Sequence, residues 1–157
     1  LRRREIMYKG QKFKRVQISK GVILKSGLEE VVFNFLKEHK CMFKYEGMKI
    51  NYFQPETKKT YTPDFPIKSS FIIETKGAFN SADRKKMKLI KKQNPQLDIR
   101  FLFSNSKTKI GKKSQTTYGR WCELNDFPYH CIQSTKQTFP KEWLTEIKET
   151  QNGKTGN

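Results

Sequence analysis

Pro63-Asp64 is followed, ten positions after the aspartate, by Glu74-Thr75-Lys76. Side chains alternate faces along a strand, so Glu74 and Lys76 point one way and Thr75 the other. A hairpin running from YTPDF (61–65) through a short turn at Pro66 to Ser70 and into FIIETK (71–76) would set Asp64 beside Glu74. Two adjacent carboxylates repel each other unless a cation lies between them, and a divalent metal does this well. Oxygen donors favour Mg2+ or Mn2+ over zinc. Lys76 adds a fixed positive charge on the same face. These are the parts that phosphodiester hydrolysis needs: a metal to shield the phosphate and support the leaving oxygen, and a cation near the scissile group. Lys76 would orient the attacking water, stabilise the pentavalent transition state or act as base. Neighbouring carboxylates favour its charged form, and so the first two roles. Taken alone the motif is moderately specific, because exposed Glu-x-Lys pairs on short hairpins are common. Ile72 and Ile73 make this strand core-like, however, and buried strands seldom hold Glu and Lys without a reason.

Glu29 is a candidate third carboxylate. It stands three residues after Ser26, ahead of an apolar series Leu28, Val31, Val32, Phe35 and Leu36 at helical spacing, so a capping-box role explains it without catalysis. The helix predicted from Ser26 spans about four turns and would mark the start of ordered structure.

The other elements form a frame for that site. FKYEGMKINYF (43–53) reads as a strand interrupted by a bulge or bend at Gly47, and Gln54 to Lys59 as a polar turn. Gly77 ends the Glu74 strand, and Ser81 would cap a helix running to about Gln93, before Pro95. LDIRFLFS (97–104) is an apolar strand. Strand, helix, strand implies a right-handed crossover and a parallel pair. Lys107 to Thr117 is a basic loop. A helix then starts at Tyr118, FPYHCI gives a short strand, and Pro140 opens a last helix bearing Trp143, Leu144 and Ile147. The fold class is a mixed α/β domain with a small sheet.

Over 157 residues, Lys and Arg outnumber Asp and Glu by 33 to 15, a net charge of +18 that suits a polyanion. Residues 1–20 read as a flexible basic arm that follows phosphates, 21–148 as the main domain and 149–157 as a polar tail. Lys25, Arg84, Lys85, Lys107, Lys109, Lys112 and Lys113 are candidate phosphate contacts, lying in or beside loops and a helix start near the expected site. Cys41, Cys122 and Cys131 include no C-x-x-C pair; with His39 and His130 they match no zinc module, and buried thiols in a reducing compartment are expected. No apolar run approaches a membrane span and no signal-peptide core is visible. Leu1 in place of Met is expected of a trimmed chain.

S-G-L-E on the first helix, T-Y-T-P-D-F and E-T-K-G occur in the order that resembles the phage endonuclease I family, the Holliday-junction resolvases of short-tailed coliphages within the PD-(D/E)xK nuclease superfamily. The resemblance continues through Asp83-Arg84-Lys85-Lys86, Asn94 to Arg100, Phe103-Ser104, Tyr118-Gly119 and Glu142-Trp143, spanning about Ser26 to Lys148. It implies a restriction-endonuclease-like mixed sheet flanked by helices, and an active site of Glu29, Asp64, Glu74 and Lys76. It further implies a pair of Mg2+ ions, replaceable by Mn2+, on Asp64, Glu74 and the backbone carbonyl of Thr75. The implied assembly is an intertwined homodimer exchanging strands through a bridge at about 48–59, each site taking its helix-borne Glu29 from the opposite chain. The implied substrate is branched DNA, and the implied setting is the cytoplasm of a bacterial host. Two departures stand out: Pro66 directly after P-D-F, and a C-terminal QNGKTGN less basic than family tails. An alternative is a site-specific homing or mobile-element endonuclease with the same fold. A non-catalytic DNA-binding module fits less well, since clustered acids repel phosphate in the absence of metal.

Overall fold

The computed structural model describes residues 16–19, 22–54 and 56–152. Most of the expected arm and the last five residues of the expected tail lie outside them. Ordered structure begins ahead of Ser26: Val16–Ser19 (β1) and Val22–Leu24 (β2) pair antiparallel. Helix α1 (Gly27–Glu38) follows and buries Leu28, Val32, Phe33 and Leu36. Ser26 caps it, its hydroxyl accepting the Glu29 N–H at 3.2 Å. The reciprocal half of the capping box is shifted by one residue, because the Glu29 carboxylate accepts the N–H of Lys25 at 2.9 Å.

The predicted strand 43–53 is mostly absent. Only Ile50–Gln54 (β3) is extended, and residues 41–49 run irregularly through a turn at Tyr45-Glu46. Gly47 sets that turn: a Cβ there would meet the Lys44 Cβ at 2.3 Å. The polar stretch expected as a turn is instead strand β4 (Thr57–Tyr61), paired with β3 from Ile50↔Tyr61 to Gln54↔Thr57. Its first four residues are exposed, so no apolar alternation announced it.

The hairpin is displaced from its expected place: its second arm is β6 (Phe71–Lys76), as read from the sequence, but its first is β5 (Phe65–Lys68), which takes up most of the expected turn, while Tyr61 ends β4 and Asp64 lies on the link between them. Pro66 is accommodated because β5 is an edge strand, with a register shift between Pro66 and Lys68. Helix α2 (Ser81–Gln93) is capped one residue earlier than expected, by Asn80, whose side chain accepts the Asp83 N–H at 2.9 Å. Strand β7 (Asp98–Phe103), helix α3 (Tyr118–Leu124), strand β8 (Tyr129–Cys131), the short helix α4 (Ile132–Thr135) and helix α5 (Lys141–Asn152) complete the chain. The last helix thus runs beyond Lys148.

The sheet order is β5-β6-β7-β8, with β5 antiparallel to β6 and β6, β7 and β8 parallel. Alternation along β6 splits the core in two. Ile72 packs with Phe101, Phe103, Phe79, Met87, Ile90 and Trp121 among α2 and α3. Phe71 and Ile73 pack with Val32, Leu36, Trp143 and Ile147 of α1 and α5. Both faces of β6 are therefore closed as far as its C-terminal end, and Glu74, Thr75 and Lys76 emerge there.

Candidate active site

Glu74 is 3% exposed, a burial that a carboxylate tolerates only with partners. Its Oε2 accepts the Tyr61 hydroxyl at 2.6 Å and the Asp64 N–H at 3.3 Å. Its Oε1 faces Lys76 Nζ at 3.2 Å. Asp64, on the link between β4 and β5, turns one oxygen to Thr75: Oδ2 accepts the Thr75 N–H at 2.9 Å and the Thr75 hydroxyl at 2.8 Å. The structure thus brings Asp64, Glu74 and Lys76 together, although Asp64 stands on the link ahead of the hairpin and not on its first strand.

Glu29 stands a little apart. Its Oε2 accepts the Lys25 N–H and the hydroxyl of Tyr45, and its charge reaches Asp64 from the other side. Within this chain, then, the helix-borne acid lies beside the chain's own Asp64. The three acids do not converge into a ready-made metal cluster among the described residues.

Electrostatics follow from this crowding. Burial, the neighbouring Glu74 charge and, more weakly, Glu29 push the Asp64 carboxyl up to about 8, against the opposing hydrogen bonds from Thr75. Such a group holds its proton at neutral pH unless a cation replaces it. Burial pulls the Lys76 ammonium down, but Glu74 and Asp64, with Asp83 behind them, outweigh it and leave a net upward shift. Lys76 is therefore a charged donor, as its neighbours implied, and unsuited to act as a base.

The residues fit a hard divalent cation. Buried Glu74 and half-buried Asp64 both offer oxygen, Glu74 Oε1 is engaged only by a lysine, and Asp64 Oδ1 has no hydrogen-bond partner among the described residues. Thr75 touches Asp64 through its N–H and hydroxyl. The three cysteines are buried and unbridged, and His39 and His130 bond the carbonyls of Phe35 and Gln137, so nothing here resembles a zinc site.

The expected phosphate contacts divide. Lys85, Lys107, Lys109, Lys112 and Lys113 are exposed. The loop that carries the last four leaves β7 next to Lys76, with Ser104 N–H bonding the Lys76 carbonyl at 3.3 Å. It is shaped by a bridge between Lys109 and Thr117 and by Tyr118 N–H to Thr108 O at 2.9 Å. Lys25 pairs with Glu46. Arg84 is partly buried, its guanidinium donating to the carbonyls of Phe79 and Ile110, a latch between α2 and the basic loop rather than a free cation. A lysine would lack that fork.

The residues outside the sequence reading are Tyr45 and Tyr61. Each aims its hydroxyl at a site acid. Only the adjacency of Tyr61 to T-P-D-F hinted at this.

The profile of a family described as phage endonuclease I matches residues 9–154, a range that contains every described residue, Glu29, Asp64, Glu74 and Lys76 among them. The chain belongs to the phage endonuclease I family. Endonuclease I of Escherichia phage T7 is 42% identical over 132 residues, covering 84% of this chain and 85% of that protein. Endodeoxyribonuclease 1 of Enterobacteria phage T3 is 47% identical over 105 residues, covering 67% of this chain and 69% of that protein. For an endonuclease I family member, an acid pair with an adjacent lysine at the open end of a sheet is coherent with the family's name. No helix among the described residues is long and apolar enough to cross a membrane.

Proposed function

We propose that this chain is a metal-dependent endodeoxyribonuclease that resolves four-way junctions and other branched DNA, acting in the bacterial host of a phage. Its DNA-cleaving activity is supported by family membership and by the names of its relatives. The observation that carries the mechanism is the Asp64–Glu74–Lys76 cluster, in which a buried and a half-buried acid lie beside one charged lysine at the mouth of a basic loop. Asp64 and Glu74, with the Thr75 carbonyl, would hold Mg2+, two ions per site, with Mn2+ able to substitute. The ion supplies charge neutralisation and Lewis acidity at the scissile phosphate. Lys76 donates to the attacking water or to a phosphoryl oxygen, which stabilises charge that grows in the transition state. Glu29 borders Asp64 and orients the incoming nucleophile. The exposed lysines of the 107–117 loop bind the flanking phosphates. The fold is read as the PD-(D/E)xK type, with this hairpin as its signature.

A two-fold dimer fits the register of β3 and β4. Paired residues sum to one value along the hairpin, Ile50 with Tyr61 and Gln54 with Thr57, so β3 of one chain can pair with β4 of another in the same register. The connection is strained: Glu56 sits at φ 70°, which disfavours a side chain by about 1–2 kcal/mol. Opening that connection relieves the strain while every other contact is remade between chains, which is the route to exchange. Glu29, ahead of the hinge, then meets the Asp64 of the partner chain.

The test is cleavage of a four-way junction, a linear duplex and a random-sequence library, with and without Mg2+. Junction-selective, metal-dependent nicking is expected. Cleavage of one defined sequence in linear duplex would point instead to a site-specific enzyme, and no cleavage of any substrate would refute the reading.

A further inference from the structure

The three site acids share one pattern. Glu74 Oε2 receives two donors, the Tyr61 hydroxyl and the Asp64 N–H. Asp64 Oδ2 receives two, the Thr75 N–H and hydroxyl. Glu29 Oε2 receives two, the Lys25 N–H and the Tyr45 hydroxyl. On each acid the other oxygen accepts from no backbone N–H or hydroxyl among the described residues. Two donors nearly fill an oxygen's lone pairs, so each carboxylate has one oxygen taken up within the fold, while the other carries only the Lys76 ion pair on Glu74 and no hydrogen bond among the described residues on Asp64 and Glu29. The pairs do not depend on how chains assemble: both partners in each lie on the same side of Glu56.

A carboxylate with one free oxygen is a one-point ligand. Mg2+ wants such ligands, since it demands near-octahedral geometry at short distances, whereas Ca2+ accepts carboxylates through both oxygens in a looser shell. We propose that Tyr61 and Thr75 are positioning residues that hold Glu74 and Asp64 as one-oxygen ligands, and that they thereby make the site discriminate Mg2+ from Ca2+. The inference rests on the metal-dependent reading above. Tyr45 applies the same device to Glu29.

Tyr61 is built for this. It is 2% exposed and packs with Ile72 and Met87, so its ring cannot swing away. A buried tyrosine needs some acceptor. The particular choice of a ligand carboxylate is what gives it leverage on the metal, as outer partners of ligands commonly have.

The experiment titrates the metal-free full chain, without DNA, with Mg2+, Mn2+ and Ca2+ by calorimetry. Wild type is compared with Tyr61→Phe, Thr75→Val and Asp64→Asn, each checked for fold by circular dichroism. Tyr61→Phe removes one of the two donors on Glu74 Oε2, and Thr75→Val removes one of the two on Asp64 Oδ2. Each should shift the ratio of Ca2+ to Mg2+ affinity toward Ca2+ by about tenfold. An unchanged ratio in folded Tyr61→Phe overturns the proposal; should that variant fail to fold, an unchanged ratio in Thr75→Val does so. If wild type and Asp64→Asn bind metal equally well, the metal-centre reading itself fails, and this inference with it.

Discussion

The backbone N–H of Asp64 donates to the carboxylate of Glu74, while the carboxylate of Asp64 is held by Thr75, the residue after Glu74. Ten positions apart in sequence, the two acids are tied into one reciprocal unit, and neither can turn without the other. Asp64→Asn and Glu74→Gln should therefore each lower cleavage by on the order of a thousandfold, and Lys76→Ala similarly. Junction binding should stay within a few-fold, because affinity comes from many phosphate contacts. Near-normal cleavage by Asp64→Asn, measured under single-turnover conditions, would reject the site.

Metal-free stability should carry the signature of Asp64. Burial and the Glu74 charge place its carboxyl at about 8 in the fold, against about 3.9 in an unfolded chain. The folded state therefore binds the proton more tightly. Its stabilising contribution is fully present below pH 4, declines as pH rises and is gone above pH 8. Melting temperature in chelator should fall across that window, and Asp64→Asn should flatten the decline. Adding Mg2+ at pH 8 should restore stability to wild type but not to the variant.

The basic loop and Arg84 should separate cleanly. Replacing Lys112 or Lys113 with Ala should lower the slope of log affinity against log salt by about one per lost phosphate contact, with little change in melting temperature. Arg84→Ala, by contrast, breaks bonds to Phe79 and Ile110 and should cost about 1–2 kcal/mol of stability. A destabilisation by Lys112→Ala equal to that of Arg84→Ala would contradict this division.

The second strand of the candidate site's hairpin was legible because its chemistry interrupts a period. In FIIETK two isoleucines fix the strand, and Glu74 and Lys76 then stand where a core strand has no use for charge. The parallel pair and its helix followed from the same apolar runs. Strand β4 was hidden because Thr57 to Thr60 face solvent and carry lysines, so only their partner strand reveals them. Tyr45 and Tyr61 were hidden for the opposite reason. An aromatic among apolar residues reads as core, and the direction of a hydroxyl is set by tertiary packing that no local pattern encodes. Arg84 reads as a phosphate contact because its neighbours do; its bonds to the carbonyls of Phe79 and Ile110 come from tertiary packing that the local pattern does not display.

The hinge gives a prediction about assembly. If strain at Glu56 favours exchange, Glu56→Gly should relieve it in the closed chain, since glycine adopts positive φ freely. With two hinges per dimer and about 1 kcal/mol at each, the dimer should weaken by roughly tenfold or more. Sedimentation at micromolar concentrations reads this directly. A dimer of unchanged or greater strength would remove hinge strain as a driving force.

Complementation decides where each Glu29 acts. In the single chain its charge reaches its own Asp64, and exchange across the β3–β4 connection would remake that proximity with the partner's aspartate. Glu29→Ala and Asp64→Asn homodimers should both be inactive in either arrangement. In a heterodimer of the two the arrangements diverge. With sites built within one chain, each site carries one lesion and nothing is cut. With sites shared between chains, one site carries both lesions and the other carries none. Such a heterodimer should nick one strand of a four-way junction and stop, because paired resolution needs a second working site. Purified through two different affinity tags and verified as folded, it gives a nicked junction on a denaturing gel if Glu29 acts across the dimer. Complete inactivity would place Glu29 and Asp64 of each site on the same chain, as they lie in the closed monomer.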